Sequence, residues 1–202
     1  MQTNPSYNYS PWFCLKADTI RQYNRYSPLI LLFGAITRRT FRPIVTMRLC
    51  QIASTSLLSK LFILPFLRIA HRIATTIACI DLSWRTTIGP GLILTHAWGL
   101  VISPGAIIGN NVTIFHGATI GRRDKISTSG NRKTEYPLIE DQVWIGPHAV
   151  VIGGIKIGNG SRIAAGAFVT ENVPPFSVVV GNPASIVKQN CSPDVMNPAP
   201  LP

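Results

Sequence analysis

Two runs of aliphatic residues in this chain recur every six positions. Ile102, Ile108, Ile114 and Ile120 form the first run, and Ile139, Ile145, Val151, Ile157, Ile163 and Val169 form the second. Glycine follows several of them (Gly109, Gly121, Gly146, Gly158), and four places on stands a small or apolar residue, as at Ala106, Val112, Ala118, Ala149 and Ala167. A period of six fits neither the turn of an α-helix nor the alternation of a plain strand. It fits a three-sided β-helix with one short strand and one tight turn per hexad, three hexads to a coil. The aliphatic side chains then stack inward, coil upon coil, and fill the interior. A functional site must therefore lie outside the prism, most naturally in a groove between subunits.

The pattern fails in two places. Ile88 and Leu94 open a hexad run, the register slips by two around residues 98–101, and it resumes at Ile102. The second break, GRRDKISTSGNRKTEYP (residues 121–137), is polar and basic, offers the core little, and must loop out over residues 122–137. Long insertions in repeat proteins gather on the binding face. Pro174 and Pro175 end the coil after Val173, residues 179–188 form a closing strand, and residues 189–202, with four prolines, are expected to be a flexible tail.

Residues 1–79 are expected to form a separate segment, an irregular arm (1–12) followed by helices, with the β-helix running from 80 to 188. The net charge of +11 is uneven: residues 1–85 hold eleven Lys and Arg against two acidic residues, residues 86–202 eight against six. Residues 29–37 are apolar but fall well short of the roughly 20 residues a spanning helix requires. Between 61 and 80, proline (Pro65) sits near the start, where a helix tolerates it. Phe66, Ile69, Ala70, Ile73 and Ile77 share one helical face, and Arg68, Arg72, Thr75 and Thr76 another. Two readings stand. The helices cap the β-helix with the apolar face inward and the arginines in water, or this basic surface, with Trp12, rests on the anionic inner face of a membrane. No DNA- or RNA-binding pattern accompanies the charge. Four scattered cysteines (Cys14, Cys50, Cys79, Cys191) without a CxxC pair argue against a zinc site or a disulfide scaffold, and no signal peptide is visible, so a cytoplasmic location is expected.

The histidines are His71, His96, His116 and His148; no metal-ligand cluster or phosphate loop accompanies them, and no metal is expected. His96, in LTHAWGLVI, stands directly before the first register break. Asp81 lies fifteen residues earlier, near one coil's length, and stacked coils are about 4.8 Å apart. An aspartate there can hold one ring nitrogen and leave the other as a base. The competing reading is a surface histidine that caps a turn. His71 reads as a structural residue on its helix.

The stretch IDLSWRTTIGPGLILTHAWGLVISPGAIIGNNVTIFHGATIG, then IEDQVWIGPHAVVIGGIKIGNGSRIAAGAFVTENVPPFSVVVGNPASIV, resembles the hexapeptide-repeat acyltransferases. It is closest to the serine O-acetyltransferase branch and its polysaccharide-cluster relatives of the colanic acid acetyltransferase type. The resemblance covers residues 80–188. It implies a left-handed parallel β-helix, a homotrimer or dimer of trimers, and acetyl-CoA as donor. It also implies His96 as the catalytic base paired with Asp81, and Gly121, Pro147, Arg162 and Ala165 along the CoA groove, with Arg162 suited to a CoA phosphate.

The chain departs from the serine enzymes at informative positions. Thr95 replaces the acidic residue before the catalytic histidine, Glu135-Tyr136 replaces an Arg-His pair, and His116 stands where glutamine is usual. His116 faces the same groove as His96 or is a solvated turn residue. A serine acceptor needs an anion for its ammonium and a cation for its carboxylate, and both expected partners are missing. The expectation is therefore transfer of acetyl to a sugar hydroxyl of a glycan or lipid-linked glycan, in exopolysaccharide, capsule or O-antigen assembly, with Trp98 or Tyr136 stacking on the ring. Serine acetylation for cysteine biosynthesis is the alternative, and a non-catalytic trimeric scaffold the third reading.

Overall fold

The computed structural model describes residues 9–201; the first eight residues of the predicted arm lie outside it. Helix α1 (Pro11–Tyr23) already begins within that arm. Proline suits its first turn, and the Ser10 hydroxyl accepts a hydrogen bond from the Phe13 amide. Helices α2 (Pro28–Thr37), α3 (Phe41–Ala53), α4 (Leu57–Phe62) and α5 (Leu64–Ala78) follow.

The hexads then build a three-faced parallel β-helix. The first face stacks β1 (Ile80–Leu82), β4 (Leu100–Ile102), β7 (Thr119–Gly121), β12 (Val150–Ile152) and β15 (Phe168–Val169). The second stacks β2 (Thr87–Ile88), β5 (Ile107–Ile108), β10 (Leu138–Ile139) and β13 (Lys156–Ile157). The third stacks β3 (Ile93–Thr95), β6 (Thr113–Phe115), β11 (Trp144–Ile145), β14 (Arg162–Ile163) and β16 (Val178–Val180). The closing strand β17 (Ser185–Lys188) turns back antiparallel on β16. Every hexad aliphatic of the two runs is buried in one continuous core, and equivalents pair coil to coil, Ile114 with Ile145 and Ile145 with Ile163.

The two breaks sit where the period fails. Ile139 pairs with Ile157, a coil of eighteen residues, whereas Leu82 pairs with Ile102, Ile88 with Ile108 and Leu94 with Ile114, coils of twenty. The two extra residues lie in the turn 96–99, where His96, Ala97 and Gly99 all take positive φ. The second insertion is not an irregular loop: β8 (Arg123–Ile126) and β9 (Arg132–Glu135) pair as an antiparallel hairpin. Its polar residues satisfy one another, with Arg132 on Asp124 and the Thr134 hydroxyl donating to Asp124.

Asp18 and Arg48, both fully buried, fasten the helices to the first coil. Their ion pair is 2.8 Å long; Arg48 also donates to the carbonyls of Ile88 and Gly89, and Asp18 accepts from the amides of Gly91 and Leu92. A buried pair with its remaining hydrogen bonds met adds specificity to the docking. Helix α5 packs the opposite way from the inward apolar face expected of a cap. Its buried residues are Leu64, His71, Ala74 and Ala78, while Phe66 is 73% exposed and Ile69 61%. Alanines let α5 approach α3 closely, and His71 fits because Thr46 meets its Nδ1 and its Nε2 donates to the Leu82 carbonyl. Burial lowers the His71 pKa below its ordinary 6.5.

The prolines keep the tail out of regular structure, and within it Asp194 pairs with Arg162 and Ala199 exchanges hydrogen bonds with the Asn111 side chain.

Candidate functional site

The corner between the third and first faces carries three histidines on successive coils. Each coil turns this corner right after a third-face strand, so His96, His116 and His148 fall into line. Their rings meet edge to face, His96 and His116 with centroids 5.9 Å apart, His116 and His148 5.1 Å apart. The His148 amide donates to the His116 carbonyl at 2.9 Å. The ladder depends on Gly117, whose φ is +66° and where a Cβ would stand 2.3 Å from His148 Nδ1. His96 and His148 are exposed, and the buried Nδ1 of His116 has no hydrogen-bond partner.

His96 sits at the outermost bend of the twenty-residue coils, in a cleft of about 260 Å³ with Gln22, Arg38, Arg39, Thr40 and Thr95. The positive φ at His96 turns its side chain off the prism, and Trp98 lies half exposed beyond it. The Arg39 guanidinium lies 3.6 Å from the centre of the Trp98 ring and donates to the carbonyls of Ala78 and His96. Arg39 is the site residue that sequence reasoning missed. It stands in the Arg38-Arg39 pair that follows the apolar residues 29–37, and only the fold brings it to the corner.

Asp81 is placed differently from the expectation. At this height the coil holds twenty residues, so the residue beside Asp81 on the next coil is Val101. Its carboxylate points outward into a separate cleft of about 560 Å³, with Arg68, Ile69, Arg72, Ile73 and Trp84. No hydrogen bond or ion pair links Asp81 to His96 among the described residues.

The residues assigned to the CoA groove divide. Pro147 and Ala165 continue up the histidine corner, joined by the Gly166 amide, which donates to the Pro147 carbonyl at 2.8 Å. Arg162 lies on the adjoining third face, stacked 3.9 Å over the Trp144 ring and paired with Asp194. Gly121 is buried at a different corner, between the first and second faces, where the hairpin leaves the prism.

Glu135 and Tyr136 share that hairpin corner. The Tyr136 ring covers Gly105 so closely that a Cβ there would stand 2.7 Å from it. Glu135 is held between Lys125 at 2.7 Å and Lys133 at 2.9 Å. Hydrogen bonds from these two lysines lower its pKa to about 2. A carboxylate already matched by two cations does not present the reversed charge on which the argument against serine rested.

Comparison with known proteins agrees with this geometry. The family profile described as bacterial transferase hexapeptide (six repeats) matches residues 136–171. Over 115 residues the chain is 41% identical to a serine acetyltransferase of Buchnera aphidicola from Schizaphis graminum, covering 57% of this chain and 42% of the relative. Over 123 residues it is 37% identical to that of Bacillus subtilis, covering 61% and 54%. The chain thus spans roughly half the length of the curated relatives it matches. The crystal structure of the Neisseria gonorrhoeae serine acetyltransferase superposes with a TM-score of 0.69 at 30% identity, covering 90% of this chain and 68% of that one. A Brucella abortus serine acetyltransferase in complex with coenzyme A gives 0.66 at 30% identity, covering 94% and 71%.

The chain belongs to the hexapeptide-repeat transferase family. Within that family these relatives are serine acetyltransferases, and this overturns the expectation of a sugar acceptor and of a colanic-acid-type branch. Part of the physical reason is visible at the hairpin and at the corner: Glu135 is neutralised within its own hairpin, and Arg39 brings to His96 a cation from a part of the chain the motif does not include, while Thr95 still leaves that corner without a carboxylate.

Proposed function

We propose that this chain is an acetyl-CoA-dependent O-acetyltransferase whose acceptor is the hydroxyl of L-serine, feeding cysteine biosynthesis in the cytoplasm. The observation that carries the reading is His96, displayed by a left-handed bend on the outer corner with Arg39 beside it, within the region similar to serine acetyltransferases. His96 would take the proton from the serine hydroxyl as its oxygen attacks the thioester carbonyl carbon. The tetrahedral intermediate then collapses with cleavage of the carbon–sulfur bond, and His96 returns the proton to the departing thiolate. Arg39 suits the serine carboxylate. Pro147, His148 and Ala165 mark the path for the pantetheine arm, and Arg162 the phosphate end. Asp81 would steady the charge that develops on His96 from the neighbouring coil, through a field rather than a direct hydrogen bond.

In one protomer His96 and the Tyr136–Glu135 pair occupy separate corners of the prism. A site that uses both needs a neighbouring subunit, which supports a homotrimer. Light scattering should then give three times the protomer mass of 22.1 kDa.

The deciding assay is thiol release from acetyl-CoA with L-serine. Turnover that depends on serine and disappears in His96→Ala is the expected result. Coenzyme A binding without serine-dependent turnover would overturn the acceptor, and a chain that binds neither would leave only a scaffold.

A further inference from the structure

Residues 19–80 contain nine Arg and Lys and not one carboxylate. Arg21 and Arg48 are buried in the helix–coil junction; the other seven are not. Among the same helices lies the largest concentration of exposed apolar side chains. Along α4 and α5, Leu58 is 71% exposed, Leu61 65%, Phe62 63% and Phe66 73%, with Ile69 and Ile73 continuing the stripe. Lys60, Arg68 and Arg72 interleave with it. On α2, Leu32, Phe33 and Ile36 are likewise exposed, and Arg39 joins the two surfaces by bonding the Ala78 carbonyl at the end of α5. A concentration of exposed apolar side chains of this kind on a folded domain marks a surface that something covers.

Charge decides what covers it. A second copy docked through the same helices would set cations against cations, because residues 19–80 hold no carboxylate and Asp81 is the one anion lining the cleft beside α5. Of the chain's eight acidic residues, Asp18, Asp124, Glu135, Glu140 and Asp194 are paired with cations of their own chain, and Asp141 bonds Asn110. Nucleic acid would match the cations but not the leucines and phenylalanines between them. A bilayer with anionic headgroups matches both, since aliphatic and aromatic side chains enter the acyl boundary while lysine and arginine reach the phosphates. Among the described residues no helix is long and apolar enough to cross the membrane, so the contact lies in the plane of the interface.

We propose that α2, α4 and α5 form an interfacial platform that holds the protein on an anionic lipid surface. The attachment is separable from acetyl transfer at Phe62 and Phe66, which lie outside both the histidine corner and the Asp81 cleft.

Flotation of the 202-residue chain with phosphatidylcholine vesicles, with and without phosphatidylglycerol, tests this. Binding should require phosphatidylglycerol and weaken with salt. Phe62→Ser with Phe66→Ser should lower the affinity at least tenfold, and Lys60→Gln with Arg68→Gln by about fivefold for each cation. Lys188→Gln, on the closing strand, should change nothing. All four altered helix residues are exposed, so circular dichroism should show an unaltered fold. Four results would overturn the proposal. One is an absence of binding to phosphatidylglycerol vesicles, and another is equal binding to both kinds. The third is that the phenylalanine variants break a larger oligomer, and the fourth is that duplex DNA binds more tightly than lipid and the phenylalanine variants leave that binding intact.

Discussion

The two halves of this molecule spend similar side chains in opposite ways. In the β-helix, isoleucine or valine at every sixth position goes inside, and Asp124, Glu135, Glu140 and Asp141 pair or bond within their own chain. In the helical region, leucine, isoleucine and phenylalanine stand largely outside, and most of the cations face outward without carboxylates among them. The β-helix is thus complete in itself, whereas the helices are complete only toward α3 and the first coil. A repeat buries its apolar residues because each coil covers the next. A helix has no such guarantee, and which face it buries depends on what it can approach.

The sharpest test of the contrast is chemical. His96→Ala on the β-helix corner should lower kcat by about 10²–10⁴-fold while coenzyme A still binds, read by thiol release and by calorimetry. Phe66→Ser on the platform should leave kcat within twofold. If the two variants lose activity together, the division between a catalytic half and an attaching half is wrong.

Next comes the junction. Asp18→Asn leaves the Arg48 guanidinium buried without its anion and should cost about 3–5 kcal/mol of stability, measured by denaturant unfolding. Ile145→Ala, in the middle of the stack, should cost about 2–5 kcal/mol. Leu61→Ala, equally apolar but outside, should stay within about 0.5 kcal/mol. Similar losses at Ile145 and Leu61 would erase the distinction between the halves.

Stability should also fall in acid, partly through His71. Its native pKa lies below 6.5, so at pH above 6.5 both folded and unfolded forms are neutral and it contributes no pH dependence. As the pH drops below 6.5 the unfolded chain takes up the proton first, and stability declines until the native pKa is passed. Melting curves between about pH 7 and pH 5 should show this fall, and His71→Gln should flatten it. The smallest effect is expected at the tail. Asp194→Ala frees Arg162 from an exposed pair worth about 0–1 kcal/mol, and KM for acetyl-CoA should fall by no more than about fivefold.

Much of this was legible in the chain. The stack from Ile88 to Val169 follows the six-residue period, and both breaks were visible as failures of it. The hairpin was not, because its strands alternate polar with polar and pair only with each other. The face that α5 buries stayed open between two readings for a related reason. The stripe Phe66, Ile69, Ile73 and Ile77 defines two faces but does not say which is buried, and the small residues Ala74 and Ala78 won the contact with α3. His96 could be picked out by its place before the break, but its neighbours could not. Coil length varies between eighteen and twenty, so Asp81 fell beside Val101, and Arg39 arrived from a helix connection fifty-seven residues away.

What the sequence alone determined is therefore the prism, because a strict period leaves one way to bury every sixth side chain. It also determined the excess of positive charge in the first eighty-five residues. Tertiary structure alone decided how charges meet across the fold. It matched Glu135 to two lysines, set Arg39 beside His96, and turned an apolar helix face outward. Those outcomes depend on distances between segments far apart in the chain, and no local period encodes them.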